Sequence, residues 1–406
     1  WNSNTFDNLN MVTDFSPIEF GIEFNETGDI KWYKDDVLVQ TNISVTSANY
    51  TTTFASIGMH TVKAQMENAN GTSVNTTWNI EVVETGDASI SLDPSQPKIY
   101  VYDGWANLPQ IYLAFKDPEK LEYVKQGVYI TKWLIIAGTD GRNPFNTTLY
   151  INDSTVKELR MTAIYSHTAG HIHIGSKARL LINNTRIVGW NLSENREIVW
   201  GETQPYISCG GGILNASNTV FNHTYLKWFY DHTPDRIENC TFYETGRALW
   251  NYESSNLTAV YNKFINVSKS ISENNTAWTF TNFSYNYALQ SEEHASGENA
   301  LIGMGSKVIG NEIIHGGWNN IIVGTGSIIR DNLIHDNWDH HNLIQPSGYA
   351  EYGWYLLNNT IYNVYPYEGI HFQGFRNAYI INTTIYNCST GIACQFCKNN
   401  YFMTFS

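Results

Sequence analysis

Positive charge is what this sequence has least of: 24 Lys and Arg stand against 38 Asp and Glu in 406 residues, a formal net charge of −14. So acidic a surface repels a phosphate backbone, which excludes the basic footprint of a nucleic-acid-binding protein. Long apolar runs are missing as well. No stretch of about 18 apolar residues occurs, so no segment reads as a membrane span. The opening at Trp1 lacks a charged and apolar signal segment, and any signal peptide or anchor is expected to lie outside this sequence. Cysteine is scarce and confined to the second half, as Cys209, Cys240, Cys388, Cys394 and Cys397. An odd number leaves at least one thiol unpaired within the chain. Cys394-Gln395-Phe396-Cys397 has the spacing of a redox or zinc pair, yet no second cysteine pair or His-x-x-x-His completes a metal set. A local disulfide involving Cys388 is the expectation instead.

Asparagine, threonine, serine, tyrosine and tryptophan are abundant and good helix formers are thin, a balance that suits an all-β extracellular protein. Asn-x-Ser/Thr triplets begin at Asn25, Asn42, Asn49, Asn70, Asn75, Asn146, Asn152, Asn183, Asn191, Asn215, Asn222, Asn239, Asn256, Asn266, Asn274, Asn282, Asn358, Asn382 and Asn387. They are about twice as frequent as composition alone would give; either secretion with N-linked glycosylation explains the excess, or a β protein rich in Asn and Thr forms such triplets by accident.

Residues 1–86 alternate apolar runs with turn residues: Ile18 to Phe24, Ile30 to Val39, Tyr50 to Phe54, Met59 to Met66 and Val74 to Val83. That pattern predicts a small β-sandwich, with Trp32 as its buried tryptophan. Trp32-Tyr33-Lys34-Asp35-Asp36, Ser56-Ile57-Gly58-Met59-His60-Thr61-Val62, Asn68-Ala69-Asn70-Gly71-Thr72 and Thr77-Trp78-Asn79-Ile80 resemble PKD-like repeats in surface proteins of methanogenic archaea. The resemblance covers about 60 residues and implies a disulfide-free, Ig-like module. Residues 87–126 read as a linker and cap. Pro94, Pro97 and Asp103-Gly104 mark the linker. Leu108, Ile111, Tyr112, Phe115, Leu121 and Val124 fall at nearly helical spacing, so a short amphipathic helix within 105–126 is expected to cover the open end of whatever follows.

From Gly127 to the end, an apolar pair, an asparagine and another apolar residue recur with a period near 24 residues. Copies include Ile237-Glu238-Asn239-Cys240-Thr241-Phe242, Val260-Tyr261-Asn262-Lys263-Phe264, Val308-Ile309-Gly310-Asn311-Glu312-Ile313 and Leu356-Leu357-Asn358-Asn359-Thr360-Ile361. No copy can bury its own apolar face, whereas stacked coils join their inward residues into one core and align the asparagines at a turn. A second strand follows each asparagine strand, as in Gly369-Ile370-His371-Phe372. Residues 127–406 are thus expected to form a parallel β-helix, and here the chain resembles the right-handed parallel β-helix superfamily of pectate lyases, polygalacturonases and many archaeal surface proteins. That resemblance bears on fold and does not fix activity.

The densest polar constellation is His335-Asp336-Asn337-Trp338-Asp339-His340-His341, one coil beyond His315-Gly316-Gly317-Trp318. Aligning the coils sets His315 over His335 and Trp318 over Trp338, a His and Trp ladder that could bind sugar or metal, or stack for packing alone. His371 falls on a neighbouring face. Strand alternation sends His171 and His173 to one side, with His167 as a third metal ligand or all three as plain surface residues. Lyases of the superfamily use carboxylate clusters with calcium and a basic residue, and its hydrolases use aspartates on successive strands. Neither pattern is found: Asp231, His232, Asp235 and Glu292-Glu293-His294 have no evident Lys or Arg beside them, and Gly210-Gly211-Gly212 is a turn, not a phosphate loop. Two functions follow. One is a glycosylated building block of a surface layer, sheath or filament, homo-oligomeric through a last coil left open at Phe402-Met403-Thr404-Phe405, with calcium as a possible bridge between acidic surfaces. The other is a carbohydrate-binding adhesin or polysaccharide lyase or hydrolase.

Overall fold

The computed structural model describes residues 10–71, 73–93, 95–138, 147–162, 171–229, 234–251, 256–273, 278–290, 299–314, 320–337, 344–347, 353–373, 377–395 and 401–405. The described residues are nearly all strand, with one α-helix. They build two large hydrophobic cores, one between Phe20 and Val82 and one that runs from Ala88 through Ile380, beside a small cluster of Ile130, Val188 and Trp190.

The first unit holds β1 (Asn10–Thr13), β2 (Ile18–Lys34), β3 (Val37–Thr52), β4 (Gly58–Asn68) and β5 (Ser73–Val82). These hydrogen-bond in the order β1-β5-β4-β2-β3, antiparallel except for β1 beside β5. β2 turns into β3 at Asp35 and Asp36, both at positive φ, a conformation that a short polar side chain tolerates. Asp35 braces the turn by accepting from the Thr61 N–H at 2.8 Å and pairing with His60 Nδ1 at 2.9 Å. Phe20 and Trp32, twelve residues apart on β2, would be about 40 Å apart on a straight strand. Both rings nevertheless touch Trp78, at 5.3 and 5.9 Å between centroids. The strand therefore folds back on itself through the register shifts between Glu23 and Ile30. Trp32 is fully buried as expected. The expected sandwich is realised as two layers of one continuous, folded sheet, where an immunoglobulin-type sandwich has two separate sheets.

Residues 87–126 supply more than a linker and cap. Lys98–Tyr102 and Gly104–Asn107 pair in parallel with Leu134–Ala137 and Thr147–Asn152, so the first rung of the solenoid lies upstream of 127. The expected helix is α1 (Leu108–Phe115), with Asn107 accepting from the Gln110 N–H as N-cap and Leu108 and Ile111 buried. It is shorter than the spacing suggested. Lys116 ends it in the left-handed conformation, Pro118 follows, and Leu121–Lys125 is a strand. Glu81 on β5, 5% exposed, ties the two units by accepting from the Tyr123 hydroxyl at 2.8 Å and the Gly127 N–H at 3.1 Å.

Each later coil carries three strands, which stack on the next coil into three parallel faces. The first face includes Ile213–Ser217, Arg236–Glu238, Thr258–Val260 and Asn282–Ser284. The second includes Val220–Asn222, Thr241–Tyr243 and Lys263–Ile265. The third includes Ile172–Ile174, Tyr206–Cys209, Tyr225–Trp228, Leu249–Asn251 and Ile271–Glu273. Inward side chains stack rung on rung, as Phe221, Phe242 and Phe264 do on the second face at 4.8–5.2 Å, with Phe283 of the first face 5.8 Å from Phe264.

The corner between first and second faces is where the asparagine repeat acts. Asn262, Asn286, Asn311, Asn332 and Asn359 are buried, and each Oδ1 from Asn286 onward accepts both the N–H and an Nδ2 hydrogen of the asparagine one rung earlier. The other Nδ2 hydrogen goes to a backbone carbonyl, as from Asn311 to Phe283 O at 2.9 Å. Cys240 occupies the earlier position of this ladder, its N–H donating to Asn262 Oδ1. The residue before each ladder position has positive φ and forms an outer row: Asn239, Tyr261, Tyr285, Gly310, Asp331, Asn358 and Asn382. Glycine is required at 310 because a Cβ there would lie 2.6 Å from the Tyr285 ring.

Candidate functional site

The first and second faces meet at that tight corner, whereas connections of unequal length enter and leave the third face on both edges. Function is favoured where such connections flank a rigid floor. On this face Ile207, Cys209, Leu226, Trp228, Leu249 and Asn251 point inward and are buried. Strand alternation sends Tyr206, Ser208, Tyr225, Lys227 and Trp250 outward, with Tyr206 beside Tyr225, Ser208 beside Lys227 and Lys227 beside Trp250 on successive rungs.

The rings form a column: Tyr206 and Tyr225 are 5.1 Å apart, Tyr225 and Trp250 6.1 Å. Lys227 Nζ lies 3.9 Å from the Trp250 centroid, 4.4 Å from Phe229 and 5.4 Å from Tyr206. Arg247 Cζ lies 4.3 Å from the same Trp250 ring. Ring quadrupoles stabilise both cations, but no carboxylate does: among the described residues neither Lys227 nor Arg247 has an acidic partner. Of the other described arginines, Arg160, Arg186, Arg196, Arg236 and Arg330 each pair with an acid and Arg179 does not. Burial, and then the like charge of Arg247, hold the Lys227 amine below its usual range. Two repelling cations on an aromatic floor, in a chain of net charge −14, leave a local positive charge that an anion could neutralise. His173 borders it, its Nδ1 2.9 Å from Ser208 Oγ, with its pKa lowered by burial.

Sequence reasoning missed this cluster. Lys227 and Arg247 are 20 residues apart in a pattern of irregular connections, and the one local signal was the alternation in Tyr225-Leu226-Lys227-Trp228. Of the residues singled out instead, His315, Trp318, Trp338, Asp339, His340 and His341 lie outside the described residues, as do His167, Asp231, His232, Glu292, Glu293 and His294. His335 and Asp336 are brought together, His335 Nδ1 2.8 Å from Asp336 Oδ2 and Nε2 3.6 Å from Glu312 Oε1. The expected register is corrected by one residue: His335 pairs with Ile314, not His315, because Glu312–Ile314 stacks directly on Leu333–His335. Its ring stacks on Tyr362 at 4.7 Å, and Tyr362 on Tyr386 at 4.9 Å, a His-Tyr-Tyr ladder on the second face. His371 stands on the third face, in register with Ala393, and does not join His335. His171 and His173 do not converge either. His171 stacks on Tyr206 at 4.0 Å and accepts from its N–H, while His173 turns to Ser208. Asp235 is structural, buried and accepting from the Leu214 N–H.

Cys240 and Cys388 are free thiols, each donating to a nearby carbonyl. The disulfide expected of Cys388 is therefore not formed, and Cys209 lies in the core opposite Ile174 and Trp228. The side chains of Cys394 and Cys397 lie outside the described residues. Among the described residues no three His, Cys, Asp or Glu side chains gather as a calcium or zinc site requires, and no helix is long and apolar enough to cross a membrane.

No protein-family model matches the chain, and no curated protein matches it. Solved structures do. The periplasmic alginate epimerase AlgG aligns with a TM-score of 0.62 at 14% identity, over 80% of this chain and 94% of that one. A mutant of the same epimerase gives 0.60 at 14%, over 76% and 85%. The Family 28 exopolygalacturonase of Yersinia enterocolitica aligns at 0.32 and 9%, over 95% and 96%, too distant in backbone to carry weight. The likeness to the epimerase shows the fold: the described residues from Lys98 onward form a right-handed parallel β-helix.

Proposed function

We propose that the protein binds an acidic polysaccharide outside the cell, in the groove of the third face. The observation that carries this reading is the pair of unneutralised cations, Lys227 and Arg247, both against the Trp250 ring. A uronate residue offers both halves of what the site lacks: a carboxylate for the cations and a C–H face for the Tyr206, Tyr225 and Trp250 rings. Like-charge repulsion between Lys227 and Arg247 is relieved only when the anion arrives, so the site favours acidic over neutral glycans. The alginate epimerase that shares the fold is named for an acidic polysaccharide, which agrees with this direction. A Trp250→Ala variant is expected to lose retardation in affinity electrophoresis through alginate or polygalacturonate gels while wild-type protein is slowed. Equal mobility of wild-type protein in acidic and neutral polysaccharide gels would sink the reading. New unsaturated ends or altered uronate stereochemistry in the incubated polymer would extend it from binding to processing.

A rigid building block of a surface layer, sheath or filament is the second reading. The long solenoid and the dense Asn-x-Ser/Thr triplets favour it, but it gives Lys227 and Arg247 no role. The PKD-like module and the archaeal surface setting belong to this reading too. Electron microscopy of concentrated protein would support it by ordered polymers and contradict it by dispersed single particles.

A further inference from the structure

The Asn-x-Ser/Thr triplets are sorted by exposure. Every described asparagine that begins one is exposed or half-buried. No buried asparagine begins one, neither the inner ladder at Asn262, Asn286, Asn311, Asn332 and Asn359 nor Asn251. They are sorted by face as well. The first face, the second face and the corner between them carry triplets at Asn183, Asn215, Asn222, Asn239, Asn358 and Asn382, whereas the strands of the third face carry none and Asn256, Asn266 and Asn387 fall in the connections at its edges.

We infer that the exposed triplets are sites of N-linked glycosylation and that the sugars coat every face except the one bearing Lys227 and Trp250. In the transfer, the Asn Nδ2 attacks the anomeric carbon of a lipid-linked oligosaccharide. An N–C bond forms, the sugar's bond to the lipid phosphate breaks with its electron pair leaving on the phosphate, and Nδ2 gives up one of its two hydrogens as a proton. The ladders differ on that hydrogen. Asn286, Asn311 and Asn332 spend both, one on a carbonyl and one on the next asparagine. Asn382 donates one to Asn358 Oδ1 at 3.0 Å and Asn358 one to Asp331 Oδ1 at 3.1 Å, which leaves the second for the sugar without breaking the outer row. The free hydrogen, the exposure and the triplet coincide.

Glycopeptide mass spectrometry of the protein from the organism that makes it tests this. Glycan mass is expected on the peptides containing Asn183, Asn239, Asn358 and Asn382. A Thr384→Ala variant made in that host should lose one glycan from its intact mass with an unchanged far-UV spectrum, and Thr384→Ser should keep it, so that a folding defect is told from a lost site. Bare asparagines at these triplets in the native protein would overturn the inference. Such a result would leave the affinity of the groove for uronate as it was, because that affinity is measured on the third face.

Discussion

A lysine without an acid beside it costs a folded protein little on an open surface, and more where burial and a neighbouring guanidinium raise the cost of its charge. Lys227 is in the second situation, and its pKa is lowered below 10.5, by burial first and Arg247 second. The unfolded chain then binds the proton more readily in the window below 10.5, so this residue's contribution to stability rises with pH there. Binding runs the other way: the charge that holds an anion is lost as pH rises through the lowered value. Affinity for an acidic glycan is expected to fall earlier on the alkaline side than an ordinary lysine would allow, and a Lys227→Arg variant should push that fall to higher pH. Binding isotherms of both proteins from neutral to alkaline pH check this. Glu273 is the opposite kind of residue. It fills an inward position of the third face, fully enclosed, and accepts from Asn251 Nδ2, the Thr279 and Thr281 hydroxyls and the Gly303 N–H at 2.6–2.8 Å. Removing it strands four donors, so Glu273→Ala is expected to cost about 3 kcal/mol in denaturant unfolding, with glycan affinity retained in the folded fraction.

Among elements, the corner ladder bears the most on coil register. Asn311 makes two donations through Nδ2 and receives two through Oδ1, all buried. Asn311→Ala is expected to lower stability by about 2–4 kcal/mol, whereas Asn382→Ala in the exposed outer row should change it by less than about 0.5 kcal/mol, a contrast that thermal unfolding reads directly. This ladder was legible in the sequence because its chemistry repeats: the same amide must recur each coil, and a period near 24 residues survives changes elsewhere. Even so, the repeat hid which asparagine faces in. Asn239 belongs to the outer row and Cys240 to the inner one. The helix of 108–115 was legible from its apolar spacing but ran too far, since Leu121 and Val124 fit a strand as well as a helix. The third-face site left almost no trace, because its residues come from different rungs and a cation without a partner looks the same in sequence as one with a partner. The register at His315 has a related cause: like residue types recur by side chain, while the coils align by backbone hydrogen bonds, which set Ile314 opposite His335.

At the scale of the whole molecule, a folded β-sheet is fastened to the first rungs of a solenoid by a buried carboxyl. Burial raises the Glu81 pKa above 4.5, partly offset by the bonds from Tyr123 and Gly127. A group whose folded pKa is raised contributes stability that is present below 4.5 and is lost as pH rises through the folded value. The junction is therefore expected to loosen from mildly acidic toward neutral pH, and Glu81→Gln should flatten that slope in melting curves recorded across the range. Beyond the junction the solenoid gives one end of the molecule to the sheet and three long sides to solvent. One side holds the cationic groove, and the other two hold the asparagine rows and the His335-Tyr362-Tyr386 ladder. This division makes the third face the place where a polymer can lie along the coils, crossing Tyr206, Tyr225 and Trp250 in turn. Isothermal titration of wild-type protein and Lys227→Met with a uronate oligosaccharide, beside a neutral glucan of the same length, tests this most directly. The expected result is uronate binding by the wild-type protein, at least about 10-fold weaker in the variant, with no heat from the glucan. Equal uronate affinity in the two proteins, or a preference for the neutral chain, would contradict it.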